Sequence, residues 1–110
     1  MMAMTEYIVV YVTASGEEEA EKIGRALLEN ELAACVNIVK NVRSIYRWQG
    51  KIEDEAEAMM IVKTRRQHFG RIEEAVKKLH SYSVPEIIAL PVVEGPTDYL
   101  AWLREETQGD

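Results

Sequence analysis

Between Ala34 and Trp48 the chain alternates like a single strand that is too long for the domain that must hold it. Val36, Ile38, Val42, Tyr46 and Trp48 share one parity, and Asn37, Asn41, Arg43 and Arg47 occupy the other, the period-2 pattern of a strand with one apolar side. Extended residues rise ~3.3 Å each, so this run reaches roughly 50 Å. A compact chain of 110 residues has a radius of gyration near ~13 Å, hence a diameter of about 35 Å. The strand must bend or project. Gln49-Gly50-Lys51 supplies a turn, with Gly50 free to take positive φ, and Ile52 to Thr64 reads as the return strand. The hairpin tip then carries Tyr46 and Trp48, which need cover. A second copy of the chain supplies it most simply, by strand addition or packing. The alternative is a bulge near Lys40-Asn41 that leaves two ordinary strands in a monomer.

The elements around the hairpin define the topology. Glu6 to Thr13 is aromatic and β-branched on both parities, which suits a strand central in its sheet. Ser15 with Glu18 forms a capping box that starts a helix, and its stripe is Ala20, Ile23, Gly24, Leu27 and Leu28. Thr64 with Gln67 forms a second box, opening a helix that carries Phe69, Ile72, Ala75, Val76 and Leu79 on one side. Glu86 to Val93 is a fourth strand, and Pro91 places it at an edge. Gly95-Pro96-Thr97 starts a short helix whose Tyr99, Leu100, Trp102 and Leu103 can cover the sheet. The order β-α-β-β-α-β-α gives an α+β fold, a ferredoxin-like split β-α-β sandwich with a long β-hairpin. Residues 1–110 form one domain, with residues 1–5 frayed.

Charge narrows the function. Nineteen acidic against thirteen basic residues leave a net charge of −6, which disfavours nucleic acid and anionic membrane surfaces as partners. No apolar run approaches the ~20 residues that span a bilayer. Met1-Met2-Ala3-Met4 has neither a basic nor an apolar signal region. The single cysteine, Cys35, fits a reducing, cytoplasmic setting.

Glycine-rich phosphate loops and nucleophile elbows are absent. Soft or borderline ligands are Cys35, His68, His80 and five methionines, none at the spacing of a closed zinc site. His68 reads as a solvated helix residue, Met59 and Met60 as core, and the Met1, Met2 and Met4 cluster as a frayed terminus. For Cys35 and His80 four readings stay open: a thiolate with a histidine base, a shared transition-metal site, an oxidation sensor, or a buried small side chain and a helix-terminal histidine. Spacing alone favours the last. Glu53, Glu55 and Glu57 share one face of the return strand and read as solvated charge. His80 to Glu86 gathers a ring, a phenol, hydroxyls and a carboxylate in one loop, a placement that suits either function or the satisfaction of helix carbonyls.

Ala34-Cys35-Val36-Asn37-Ile38, Tyr46-Arg47-Trp48-Gln49-Gly50-Lys51-Ile52, Lys63-Thr64, His80-x-Tyr82-x-Val84-Pro85-Glu86-Ile87 and Tyr99-x-x-Trp102-Leu103 together resemble the CutA divalent-cation tolerance proteins. The likeness runs from about Glu6 to Glu106. It implies a homotrimer knitted by the long hairpins, similar to the nitrogen-regulatory PII signal proteins, with polar residues gathered in clefts between subunits. Carried over by motif, these are Cys35, Trp48, Lys63, His80, Tyr82, Glu86 and Trp102. The family loop usually has proline and an acidic residue where this chain has Ser81 and Ser83, which loosens the loop and removes one carboxylate ligand.

The resemblance implies a non-catalytic cytoplasmic protein of metal tolerance. It has no obligatory cofactor, and it binds Cu2+ or another divalent transition metal through Cys35 and His80, with Glu86 as acceptor for the second ring nitrogen of His80. The alternative is a signalling or scaffold trimer whose clefts take a small metabolite or peptide. There Trp48, Tyr82 and Trp102 would stack on the ligand and Lys63 would hold an anionic group.

Overall fold

The structure, a computed structural model, describes residues 5–109; the amino-terminal methionine cluster lies outside them. The elements run β1 (Tyr7–Ala14), α1 (Glu17–Glu29), β2 (Cys35–Trp48), β3 (Lys51–Arg65), a 3-10 turn (Arg66–His68), α2 (Phe69–Leu79), β4 (Ile87–Pro91) and α3 (Thr97–Glu105). The sheet order is β2-β3-β1-β4, antiparallel throughout, as the β-α-β-β-α-β-α order requires. β1 is central. β4 is an edge, where Pro91 has no missing ladder donor to answer for.

One face of the sheet is covered. Val10, Val12 and Ala14 of β1 and Met60 and Val62 of β3 are sealed beneath Ala20, Ile23 and Leu27 of α1 and Ile72 and Val76 of α2. Gly24 lets α1 approach β2 closely: a Cβ there would stand 3.2 Å from Val36 Cγ1. The opposite parity of β1, Tyr7, Val9 and Tyr11, is only half-buried. Apolar residues on both sides of β1 therefore reflect its central place in the sheet, with a helix layer on one side.

The hairpin bends where the sequence offered a bulge. Val39 pairs with Met59, yet Val42 pairs with Glu57, so β2 carries one extra residue there, and Asn41 takes φ 59°. A one-residue insertion reverses which face each parity meets. Val36 and Ile38 point to the helices, and Val42, Tyr46 and Trp48 point to the uncovered face, opposite Glu57, Glu53 and Lys51. Gln49 and Gly50 both take positive φ in the two-residue turn. Although bent, the chain spans 44 Å along its longest axis.

Neither capping box forms. Gly16 precedes α1, and it is Glu19, not Glu18, that accepts the Ser15 amide at 2.9 Å. Thr64 stays in β3, fully buried, with its hydroxyl donating to the Leu32 carbonyl at 2.5 Å. The strand ladder outcompetes the cap because Thr64 pairs with Ile8. His68 is not solvated: it is 2% exposed, and its Nε2 meets the Thr107 carbonyl at 2.6 Å. Arg65 donates to the same carbonyl at 2.6 Å and to the Thr107 hydroxyl at 2.9 Å, tying the carboxyl-terminal segment to the end of β3. In α3 only Leu103 is buried; Tyr99 and Trp102 stay 42% exposed and meet each other at 5.5 Å instead of covering the sheet.

The Thr64 hydroxyl is the partner of a buried carbonyl, and an unsatisfied buried acceptor costs about 1–3 kcal/mol. Thr64→Val, nearly isosteric, is expected to lower unfolding free energy by that amount in urea titrations at fixed protein concentration. An unchanged midpoint would remove this bond from the account of stability.

Candidate functional site

The uncovered end of the hairpin and the loop 80–86 enclose a cleft of about 780 Å³. β2 contributes Tyr46 and Trp48, β3 contributes Glu53, Glu55 and Glu57, and the loop contributes Tyr82 and Glu86. The alternation after the bulge puts the strand residues on one side. Each phenol is paired with a carboxylate: Tyr46 donates to Glu55 at 2.9 Å and Tyr82 to Glu57 at 2.7 Å. The Glu55 hydrogen bond, with burial and the neighbouring carboxylates, pushes the Tyr46 hydroxyl up to about 12. Burial first, and then the bond to Glu57, raises Tyr82 further above the ordinary phenol range. Both are neutral donors at any physiological pH.

His80 holds the loop in place. Its side chain is fully buried. The Tyr82 amide donates to Nδ1 at 3.0 Å, so the proton sits on Nε2, which donates to the Thr13 carbonyl at 2.7 Å. Its ring lies 4.6 Å from that of Tyr82. Glu19 completes the strap, accepting from the Ser15 and Ser81 amides, each at 2.9 Å. Burial works to raise the Glu19 carboxyl, but the Ser15 amide, the Ser81 donors and the nearby His80 outweigh it and hold the group at about 2.

These bonds change the expectation for metal. Both ring nitrogens of His80 serve the fold, and the acceptor on Nε2 is the Thr13 carbonyl, not Glu86. Cys35 stands elsewhere, directly opposite Lys63, half-exposed and 3.8 Å from Asn37 Oδ1. Lys63 Nζ donates to that same Asn37 oxygen. Thr13 pairs with Met59, four residues along β3 from Lys63, or about 13 Å of strand. Cys35 and His80 do not meet within one chain. Among the described residues no three His, Cys, Asp or Glu side chains gather closely enough to hold a metal ion.

The residues expected in clefts between subunits stand as follows within one chain. Trp48, Tyr82 and Glu86 line the cleft and His80 stands behind Tyr82, while Lys63 and Trp102 lie away from it. Within one chain the cleft is acidic, the wrong charge for an anionic ligand held by Lys63. Sequence reasoning missed Glu57 and Glu19. Glu57 is 7% exposed, not solvated, because the loop carrying Tyr82 folds over it. Its parity with Glu53 and Glu55 was visible, but that loop contact was not.

The pattern that defines the CutA1 divalent ion tolerance proteins matches residues 8–106. The chain belongs to the CutA1 family. The divalent-cation tolerance protein CutA of Thermus thermophilus is 52% identical to it over 90% of this chain and 96% of that protein. The chloroplastic CutA protein of Arabidopsis thaliana is 43% identical over 92% of this chain, which spans 56% of that longer protein. The solved structure of the periplasmic divalent cation tolerance protein CutA from Archaeoglobus fulgidus superposes with a TM-score of 0.90 at 44% identity, covering 93% of this chain and 99% of that one. The CutA1 fold and the motifs that suggested it therefore agree.

Glu19 makes the strap sensitive to acid. Its folded pKa lies below the ordinary 4.5, so its contribution is complete above that value and is lost as pH falls toward about 2. A shift of this size corresponds to about 3 kcal/mol at neutral pH. Thermal melts of the wild type and Glu19→Gln are expected to differ most at pH 7 and to converge by pH 2. A pH-independent gap would assign the Glu19 contribution to packing instead of charge.

Proposed function

We propose that this CutA1 protein is a non-catalytic, cytoplasmic homotrimer of divalent-metal tolerance that takes copper through Cys35. The observation that carries the assembly is the uncovered sheet face. Val9 and Tyr11 on β1 and Met59 and Ile61 on β3 are half-buried, and Val39 on β2 and Ile88 and Leu90 on β4 are exposed. These residues pair across the sheet as one apolar surface, with no cover from α1 or α2. Such a surface is larger than single exposed apolar residues account for, and a symmetric set of copies of this chain buries it.

Cys35 is on that same face, as its pairing with Lys63 and its contact with Asn37 place it. It is a free thiol, and thiolate is a strong ligand for copper. Further ligands would come from a neighbouring copy, since among the described residues no three His, Cys, Asp or Glu side chains gather within one chain. Metal is a ligand here, not an obligatory cofactor. The net charge of −6 argues against nucleic acid, and no described helix is long and apolar enough to cross a membrane. Relatives carry chloroplastic and periplasmic in their names; the cytoplasmic assignment for this chain rests on its lone cysteine.

Two measurements test the reading. Light scattering on the purified protein is expected to give three chain masses, and Ile61→Glu on the apolar face to give one; a monomeric wild type would end the trimer. Calorimetric titration with copper, buffered by a weak competitor under reducing conditions, is expected to show a fixed ratio per chain that is lost in Cys35→Ser. His80→Ala should retain the affinity, because its ring is committed to Thr13 and Tyr82. Affinity indifferent to Cys35 would leave tolerance without direct copper binding.

A further inference from the structure

His80 joins three elements through one imidazole that can change its charge. Its side chain is fully buried at the carboxyl end of α2. On the β1 side the Thr13 carbonyl accepts from Nε2, and on the loop side the Tyr82 amide donates to Nδ1. From α1 comes Glu19, whose Oε1 stands 3.6 Å from the same Nδ1; among the described residues it is the carboxylate within ion-pair range of the ring. The last turn of α2 holds Lys77, paired with Glu73, and Lys78. Glu57 of β3 is linked to His80 through Tyr82, whose hydroxyl donates to it.

Nδ1 therefore faces two groups with opposite requirements. The Tyr82 amide needs a lone pair there, and the Glu19 carboxylate needs a proton there. Neutral imidazole, with its proton on Nε2, serves the amide. A second proton, on Nδ1, removes the lone pair and sets one N–H against another, while the bond from Nε2 to Thr13 is untouched.

A buried cation is costly unless it is paired, and Glu19 supplies the pair. Its carboxyl is held at about 2, so it stays ionised when a histidine gains its proton. Oε1 accepts the Ser15 amide and keeps a second lone pair for an imidazolium N–H. The carboxyl end of a helix, where His80 stands, also favours positive charge.

The geometry points to an acid switch in which protonated His80 exchanges the Tyr82 amide for Glu19. The Ser81 amide, on Glu19 Oε2, stays as the hinge, and Tyr82 is left with its ring contact and its hydroxyl bond to Glu57. The exchange involves neither Cys35 nor copper, so it stands apart from the proposed function.

NMR on the intact, isotope-labelled protein, titrated from about pH 8 to about pH 4 across the ordinary histidine range, tests it. The His80 ring is expected to pass from a single proton on Nε2 to a proton on each nitrogen. Over the same transition the exchange protection of the Tyr82 amide should fall by ~10-fold or more, the loss of one buried hydrogen bond, while that of the Ser81 amide holds. Glu19→Gln, which keeps the shape and removes the charge, is expected to move the transition down by about one pH unit or more. A ring that stays singly protonated to about pH 4 overturns the switch, as does a second proton taken with Tyr82 protection intact. Equal loss at Ser81 marks melting of the whole loop and overturns it too, and so does a Glu19→Gln transition at the wild-type pH. The wild-type titration decides alone if Glu19→Gln does not fold.

Discussion

The rest of the structure depends on one extra residue in β2. Without it, the parity that sends Val36 and Ile38 into the core would send Tyr46 and Trp48 to the helix side of the hairpin as well. With the insertion between Val39 and Val42, a single strand serves two faces. Its first half closes the core beneath α1, and its second half lays aromatic rings beside the carboxylates of β3. A bulge costs local ladder bonds, and here it turns a strand too long for the domain into both a wall of the core and a wall of the cleft.

The loop opposite that wall is positioned by charge and hydrogen bonding more than by apolar packing. Glu19 gathers two amides, and His80 spends one nitrogen on Tyr82 and the other on Thr13. Proline and an acidic residue would stiffen such a loop covalently and electrostatically; this chain has Ser81 and Ser83. A proline has no amide hydrogen, so the bond from the Ser81 amide to Glu19 exists because serine stands there. The same commitments explain why a histidine in a metal-tolerance motif is not available to a metal within its own chain.

Much of this was legible in the sequence. Element order, the central β1 and the edge position of β4 with its Pro91 follow from periodicity and from residues with restricted backbones. The shared parity of Val36 to Trp48 instead reads as one apolar face, and the bulge near Lys40-Asn41, only an alternative in the sequence, splits it between two. The capping boxes did not form, because Thr64 had a better offer from β1 pairing and a buried carbonyl. Local four-residue signals lose to a ladder of this length. The site was legible only in part. Trp48, Tyr82 and Glu86, found by motif, line one cleft within the chain. Lys63 and Trp102 do not line that cleft of a single chain, and the burial of Glu57 and His68 depends on segments distant in sequence.

Arg65 and His68 finish β3 and the turn after it, yet the carbonyl they share belongs to Thr107, 42 and 39 positions further along the chain. During synthesis the hairpin and α1 are complete well before that carbonyl leaves the ribosome. Until then Arg65 has Glu6 as a partner, but neither it nor His68 has the carbonyl that completes its burial. The carboxyl-terminal turn thus closes the end of β3 from far along the chain. A chain cut short of Thr107 would keep its core residues while leaving Arg65 and His68 without the carbonyl they share.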